Sequence, residues 1–440
     1  MALQGHDNQI DPDPVTGGPA RDRASRRMAV TVVAVTFIAL LVSAGLRATP
    51  SVLMVPLSIG FHWDRATISL AAAIGILLYG LTGPFAAALM QSIGIRRTMV
   101  MGLILMSGAT FASQWMTMPW HYIATWGVIS GIGSGAIASV LGAAIVNRWF
   151  ARHQGLVMGL LSASTATGAL VFLPVLAWLS RDGSWRPVVL VVSLGCAALI
   201  PLVLLLVPER PEDHGFSRVG ETPESAARHQ MRAAAAPGLA LTALVAAGRQ
   251  PMFWLLFGSF FVCGLTTNGL IGTHMIAFCG DLGIAPVAAA GLVSVMGLFD
   301  LLGTTGSGWL TDRHDPRRLL FIYYSLRGLA LMALPLIAPN PTNLGIFALV
   351  YGLDWIATVP PTLKLCNRSF GERDAPVVFG WVMVGHQLGA ASAAYGAGVI
   401  RQVSGSYLPA FVMAGLAALL VGLAFGAISL SSRTRPAPAA

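Results

Sequence analysis

Twelve apolar runs of roughly membrane-crossing length punctuate the chain, at 29–58, 68–90, 98–118, 120–145, 155–178, 186–207, 251–277, 287–311, 318–338, 343–365, 377–400 and 406–430. A helix rising 1.5 Å per residue needs ~20 apolar residues to cross ~30 Å of hydrocarbon. In lipid the backbone must satisfy its own hydrogen bonds, so each run predicts one spanning helix. The expected fold class is an all-α membrane protein with twelve transmembrane helices, and an even count puts both termini on one side. The longest polar stretch, 208–250, falls between runs six and seven and divides the chain into a bundle at 29–207 and a bundle at 251–430. Short tails at 1–28 and 431–440 flank them. Within the polar stretch Leu239–Ala247 is apolar but too short to cross, which fits a segment lying along the membrane surface.

The separators between runs carry an uneven charge. Of 27 Lys and Arg residues, 21 fall on the side of the termini, 4 (Arg65, Arg181, Arg186 and Arg401) on the opposite side, and 2 (Arg47 and Arg327) inside spans. Cytoplasmic loops are enriched in basic residues, so both termini are expected in the cytoplasm. Composition agrees: 55% of residues are hydrophobic and 10% charged, with a mean hydropathy of +0.72. That excludes a water-soluble globular domain and a disordered chain. The net charge of +9 then reflects basic loops at a membrane rather than a nucleic-acid partner. The single Lys364 among so many arginines hints at a bacterial source, and hence an inner membrane. No cleavable leader is expected, because Asp7, Asp11, Pro12, Asp13 and Pro14 occupy the place of an apolar core. Cys196, Cys263, Cys279 and Cys366 lack metal-type spacing and are expected as free thiols.

The two halves repeat each other. Arg96-Arg97 stands 221 residues before Arg317-Arg318, Asn147-Arg148 stands 220 before Asn367-Arg368, and Gly168-Ala169 stands 221 before Gly389-Ala390. One offset shared by several matches predicts a duplicated six-helix unit, with substrate held between the halves. The segment from Gly308 through Asp312-Arg313 to Arg317-Arg318 resembles the loop signature of the major facilitator superfamily. Its first-half counterpart keeps Gly94, Arg96 and Arg97, with Gln91 where the family usually has aspartate. The resemblance implies that Gln91, Arg96, Arg97, Asp312, Arg313, Arg317 and Arg318 form a conformational latch, with Asp312 carrying more of it. Tyr79-Gly80 followed by Gly83-Pro84, together with Arg47 and Asp300, is similar to the monocarboxylate porter and oxalate–formate exchanger branch. The branch's arginine four residues after the aspartate is Thr304 here.

Charged groups inside spans are costly and face protein or water, so each is a candidate. Arg47 can grip a carboxylate through paired hydrogen bonds; the plainer alternative is an arginine snorkelling to headgroups. Tyr79 would donate a hydrogen bond beside it. Asp300 could carry a proton, or form a permanent salt bridge. Arg327 and Asp354 lie at similar depth and are expected to neutralise each other. His386 could relay a proton or bind an anion, or simply pack. Asn268 and His274 are placed toward the outer mouth, with an interfacial role the plainer reading for His274. Gly127, Gly131 and Gly135, and again Gly385 and Gly389, have the spacing of close helix contacts. Trp115, Trp120 and Trp185 are expected as interfacial anchors.

No phosphate loop, HExxH or hydrolase-type serine motif is present, so neither ATP coupling, an enzyme nor a metal or other cofactor is expected. The favoured function is a secondary active transporter, working by alternating access as a monomer, that moves a small organic anion such as a monocarboxylate with protons. Proton-driven export of an apolar or aromatic compound and import of a larger chelate remain alternatives. A membrane sensor on the same scaffold ranks last, because no sizeable output domain is visible.

Overall fold

A computed structural model of the chain describes residues 19–152, 154–214, 216–221 and 239–431. Of the tails expected at 1–28 and 431–440, residues 1–18 and 432–440 lie outside the described residues. The described residues form twelve long helical stretches. The first half holds α1 (Pro19–Phe61), α2 (Arg65–Ser92), α3 (Ile95–Ala112), α4 (Pro119–Trp149), α5 (Gln154–Leu179) and α6 (Arg186–Leu206). The second holds α7 (Pro251–Asp281), α8 (Pro286–Arg313), α9 (Pro316–Ala333), α10 (Pro341–Gly371), α11 (Val377–Ser404) and α12 (Leu408–Ser431). Ten of the twelve are long and apolar enough, in their described residues, to cross a membrane. The other two are α5 and α3, whose 18 residues open on Arg96 and Arg97.

Local chemistry sets the helix starts. Asp64 caps α2, its carboxylate accepting from the Thr67 N–H at 2.7 Å, and Asp315 caps α9 by accepting from the Arg317 N–H at 3.0 Å. Proline opens α4, α7, α8, α9 and α10, where its missing N–H costs nothing. Gly94, at φ +105°, makes the sharp turn between α2 and α3. Gly371, at φ +78°, separates α10 from α11. The first helix starts about ten residues before the apolar run at 29, because nothing in the basic stretch Arg21–Arg27 breaks a helix.

The same packing scheme appears twice. In the first half α1 packs on α5, α2 on α4, and α3 on α6; in the second, α7 packs on α11, α8 on α10, and α9 on α12. The halves then meet through α2 against α11 and through α5 against α8, contacts that the same six-helix offset exchanges. Lipid offers no hydrophobic drive for helices to associate, so close van der Waals packing has to supply it. Glycines make it possible. Gly127, Gly131 and Gly135 of α4 lie against the backbone of Ala71, Gly75 and Tyr79 on α2. On the second half Gly264 of α7 meets the His386 carbonyl, and Gly389 of α11 meets the Phe261 carbonyl.

The start of the central polar stretch docks on the first half. The Val219 N–H donates to the Trp149 carbonyl at 2.9 Å, the Ala151 N–H donates to Val219 at 3.0 Å, and the Ser25 hydroxyl donates to the Ser217 carbonyl at 3.0 Å. Glu209 holds the start of α3, accepting from the N–H groups of Arg96 and Arg97 at 3.3 and 3.4 Å, with Arg148 Nη1 3.8 Å from the oxygen that Arg96 engages. A carboxylate there suits the positive end of the helix dipole. The apolar segment after the polar stretch is a helix, Leu239–Gly248.

Candidate functional site: a cavity between the halves

A cavity of about 400 Å³ lies between the halves and draws its wall from both. The first half contributes Arg47 of α1, Tyr79 of α2, and Trp126, Ser130 and Ser134 of α4. The second contributes Cys263 and Asn268 of α7, Asp300 of α8, Trp355 of α10 and His386 of α11. Wider, i→i+5 helical turns shape two of these walls, Ile123–Ile129 in α4 and Leu265–Ile271 in α7. Such turns break the ordinary helix register and often mark functional sites. In α7 the widened turn presents Thr267 and Asn268 to the cavity, and the Asn268 carbonyl accepts from the Thr273 hydroxyl five residues on, at 2.9 Å.

Arg47 is half-buried, and its guanidinium stands 4.3 Å from the centroid of the Tyr79 ring. Among the described residues its buried Nε has no hydrogen-bond partner. A cation over an aromatic face gains a modest electrostatic contribution, while a buried donor left unmade costs ~1–3 kcal/mol. The arginine therefore lines the cavity with hydrogen-bonding capacity that no described residue takes up.

Asp300 is 5% exposed and lines the same cavity. Its Oδ1 accepts from the Thr304 hydroxyl and from the Ile356 N–H, each at 2.9 Å. Thr304, one turn on, thus spends its hydroxyl on the aspartate. No cation pairs with Asp300 among the described residues. Arg327 and Asp354 meet deep in the second half, Nε to Oδ2 at 2.7 Å, with side chains 0% and 6% exposed. Arg327 spends its other donors on the Asp354 and Trp355 carbonyls and on the Cys263 sulfur. Neither member of this pair lines the cavity. His386 and Asn268 do, and they touch each other, Nε2 to Nδ2 at 3.2 Å.

His274 departs from the expectation. It is fully buried, its ring bonded to the Tyr407 hydroxyl at 3.1 Å and the Ala394 carbonyl at 2.7 Å. It therefore pins α7 to α11 and α12 instead of lining a mouth. Trp185 also departs: it is 7% exposed and packs beside Phe61, whereas Trp115 and Trp120 are exposed.

The ends of the bundle differ. At the end away from the central polar stretch, Arg65 of α2 reaches across to Asp281 of α7 at 2.7 Å, and Arg401 of α11 meets the other oxygen of the same carboxylate at 2.7 Å. The Tyr407 hydroxyl accepts from Arg65 at 3.3 Å. This cluster ties the halves shut there. The cavity wall runs the other way, to Gly142 late in α4 and to Met158 and Leu161 early in α5. The residues expected as a latch lie at that second end. Asp312 and Arg313 are exposed, and Arg313 folds back over Trp309 at 4.1 Å. The Arg317 N–H serves the Asp315 cap, Arg318 is exposed, and Arg96 and Arg97 engage Glu209 through their backbones. The side chain of Gln91 lies outside the described residues. Among the described residues none of these groups bridges the halves. Sequence reasoning missed Asp281, Glu209 and Thr304. The first had a signal: it is one of few acids on a side whose loops otherwise carry arginines.

Two matched six-helix halves around a shared central cavity define a multi-pass membrane transporter of non-enzymatic type. The chain belongs to the Major Facilitator Superfamily, whose family model matches residues 36–394. It is 29% identical to monocarboxylate transporter 13 of Bos taurus, over 82% of this chain and 80% of that protein. It is 23% identical to the uncharacterized MFS-type transporter YcxA of Bacillus subtilis (strain 168), over 88% and 91%. Among solved structures, a bacterial homologue of the human lysosomal transporter Spinster, in an inward-facing and unoccupied conformation, superposes with a TM-score of 0.71 at 16% identity, covering 96% of this chain and all of that one. A D-xylose–proton symporter superposes at 0.67 with 12% identity, covering 90% and 97%.

Proposed function

We propose that the protein is a proton-coupled carrier of a small organic anion, a monocarboxylate, in the bacterial inner membrane, with both termini cytoplasmic. The observation that carries this reading is Arg47. It is a cation in the wall of an otherwise largely apolar cavity, stacked on Tyr79, with a buried donor that no described residue satisfies. A carboxylate would complete it, and Asn268 with His386 on the facing half would take a second polar group. The names of the monocarboxylate transporter relatives point the same way.

Asp300 would carry the proton. Without a cationic partner among the described residues, its buried charge is costly whenever water leaves the cavity. Protonation removes that cost and favours the rocking of a loaded carrier, while Thr304 and the Ile356 N–H hold the carboxyl in place. The bundles at 29–207 and 251–430 would move against each other, and the latch residues would meet across the second end only when the Arg65 cluster opens. One copy encloses the whole cavity, which supports a monomeric working unit.

The test is uptake by purified protein in proteoliposomes, with and without an inward proton gradient. The panel runs from lactate to aromatic acids, each beside its neutral amide. The expected result is saturable, gradient-stimulated uptake of an acid and not of its amide. Arg47→Ala should cut that uptake about 10- to 100-fold, the equivalent of a charge-assisted hydrogen bond worth ~1.5–3 kcal/mol. Asp300→Asn should abolish stimulation by the gradient while leaving exchange of internal for external acid. Equal uptake of acid and amide would remove the anion reading, and gradient-driven uptake by Asp300→Asn would remove the proton assignment.

A further inference from the structure

The two members of the polar pair between α7 and α11 have different roles. The widened turn Leu265–Ile271 sets Asn268 into the cavity wall, and its Nδ2 stands 3.2 Å from Nε2 of His386, another wall residue. An amide nitrogen carries hydrogens and accepts none. It therefore donates, Nε2 accepts, and a neutral ring holds its own hydrogen on Nδ1. The helices hold the pair in register. Gly264 lets α7 approach until a methyl group there would meet the His386 carbonyl, and Phe260, one turn earlier, flanks the ring with 6.1 Å between centroids. A proton relay needs one acceptor leading to the next. Here Nε2 faces a donor, Nδ1 has no hydrogen-bond partner among the described residues, and no carboxylate pairs with the ring among them. What the contact does supply is order in the amide. With one N–H committed to His386, the second N–H and Oδ1 of Asn268 have no partner among the described residues. A pinned amide offers one donor and one acceptor in a set arrangement. The pair also stands beside the other half: a Cβ on Gly80 of α2 would meet the side chain of Gln387, next to His386, and Tyr79 beside Gly80 carries the stacked Arg47.

We propose, on the reading that Arg47 holds the carboxylate, that Asn268 selects cargo by reading a hydroxyl group set apart from that carboxylate, and that His386 is the positioning residue that orients the Asn268 amide for it. A hydroxyl both donates and accepts, so it takes up both free groups of the amide. A methyl group in its place strips the amide of water and leaves it unpaired, which is how a site built for a hydroxyl rejects the analogue that lacks one. The separation follows from the halves: Arg47 stands on α1 and Asn268 on α7, at opposite walls of one cavity. His386 acts through Asn268 and carries no proton.

The experiment has two arms, and the first needs no cargo. NMR of the purified protein with isotope-labelled histidine, read against His386→Gln to identify the signals, should show Nε2 of His386 bare and Nδ1 protonated at neutral pH. In Asn268→Leu that single tautomer should give way to a mixture. A hydrogen on Nε2 in the natural protein overturns the proposal. The second arm measures competition against uptake of the acid found in the proteoliposome panel. The competitors are ω-hydroxy acids of four to eight carbons, each beside the plain acid one carbon longer. At the best length the hydroxy acid should compete about tenfold better. Asn268→Leu and His386→Leu should each erase that preference by raising the concentration needed for half-inhibition, and the double variant should do no more than either alone. His386→Gln, whose Oε1 can accept from Asn268 but cannot carry a proton, should recover most of the preference lost in His386→Leu. It should also keep the ratio of uptake with and without a proton gradient, whatever its absolute rate. Equal competition by hydroxy and plain acids at every length overturns the selectivity, and loss of the gradient response in His386→Gln overturns the positioning role. Uptake of no acid at all would instead remove the anion reading, and the tautomer would still decide the pair.

Discussion

Two charged clusters in this protein use the same chemistry for opposite ends. At one end of the bundle Asp281 accepts Arg65 from the first half and Arg401 from its own, with side chains 19–26% exposed. Deep in the second half Asp354 holds Arg327 with both side chains nearly sealed. The first cluster joins bodies that must part during transport, and the water around it lowers both its strength and the cost of breaking it. The second joins α9 to α10 within one body. Once an ion pair is buried, losing one partner strands the other in a medium that cannot solvate it. A carrier therefore places its breakable pairs at the rim and its permanent ones inside a half.

Mutation can break that contrast. The largest effect is expected from Asp354→Ala, which leaves Arg327 uncompensated and should cost ~3–5 kcal/mol, read as a loss of folded protein and a lower unfolding temperature in detergent. The double change Arg327→Met with Asp354→Leu should recover most of that loss, since apolar replacement of a whole buried pair is often neutral. Next comes Gly264→Ala, whose new methyl group would meet the His386 carbonyl across α7 and α11. Overpacking of this kind costs ~1–3 kcal/mol and would show in the same unfolding assay. Asp281→Asn should change stability less but shift the balance of states, by about 1–2 kcal/mol or roughly five- to thirty-fold for two partly exposed pairs. Spin labels at Asp182 and Gln402, exposed positions on opposite halves at that end, would report it as a growing population at longer distance. An unchanged distance distribution would show that the Arg65 cluster does not hold the end closed. The smallest effect is expected for Arg313→Ala, an exposed change worth within ~0.5 kcal/mol of stability.

Much of the architecture was legible because lipid enforces it. Run length, loop charge and one repeat offset were enough to predict two sets of six helices, and the glycine spacings in α4 and α11 predicted the tight contacts that form. Arg327 and Asp354 stood out as a matched pair at one depth, and the structure puts them 2.7 Å apart. What escaped was whatever depends on the neighbour's position. His274 looked like a mouth or interfacial residue because its own helix ends nearby; Tyr407, 133 residues away, takes it into the core. Glu209 gave no signal in the sequence, because nothing local says that it lands on the start of α3.

The docking of residues 216–221 on the first half fixes the start of the connection between the bundles to the bundle it leaves. The covalent connection keeps the second bundle at high effective concentration near the first. A cut between 221 and 239 would leave the docked segment with its own bundle. Two separately translated pieces would then carry intact faces on α2, α5, α8 and α11, and they could rejoin in the membrane without a covalent connection. In that sense the protein is a dimer whose subunits happen to share one chain.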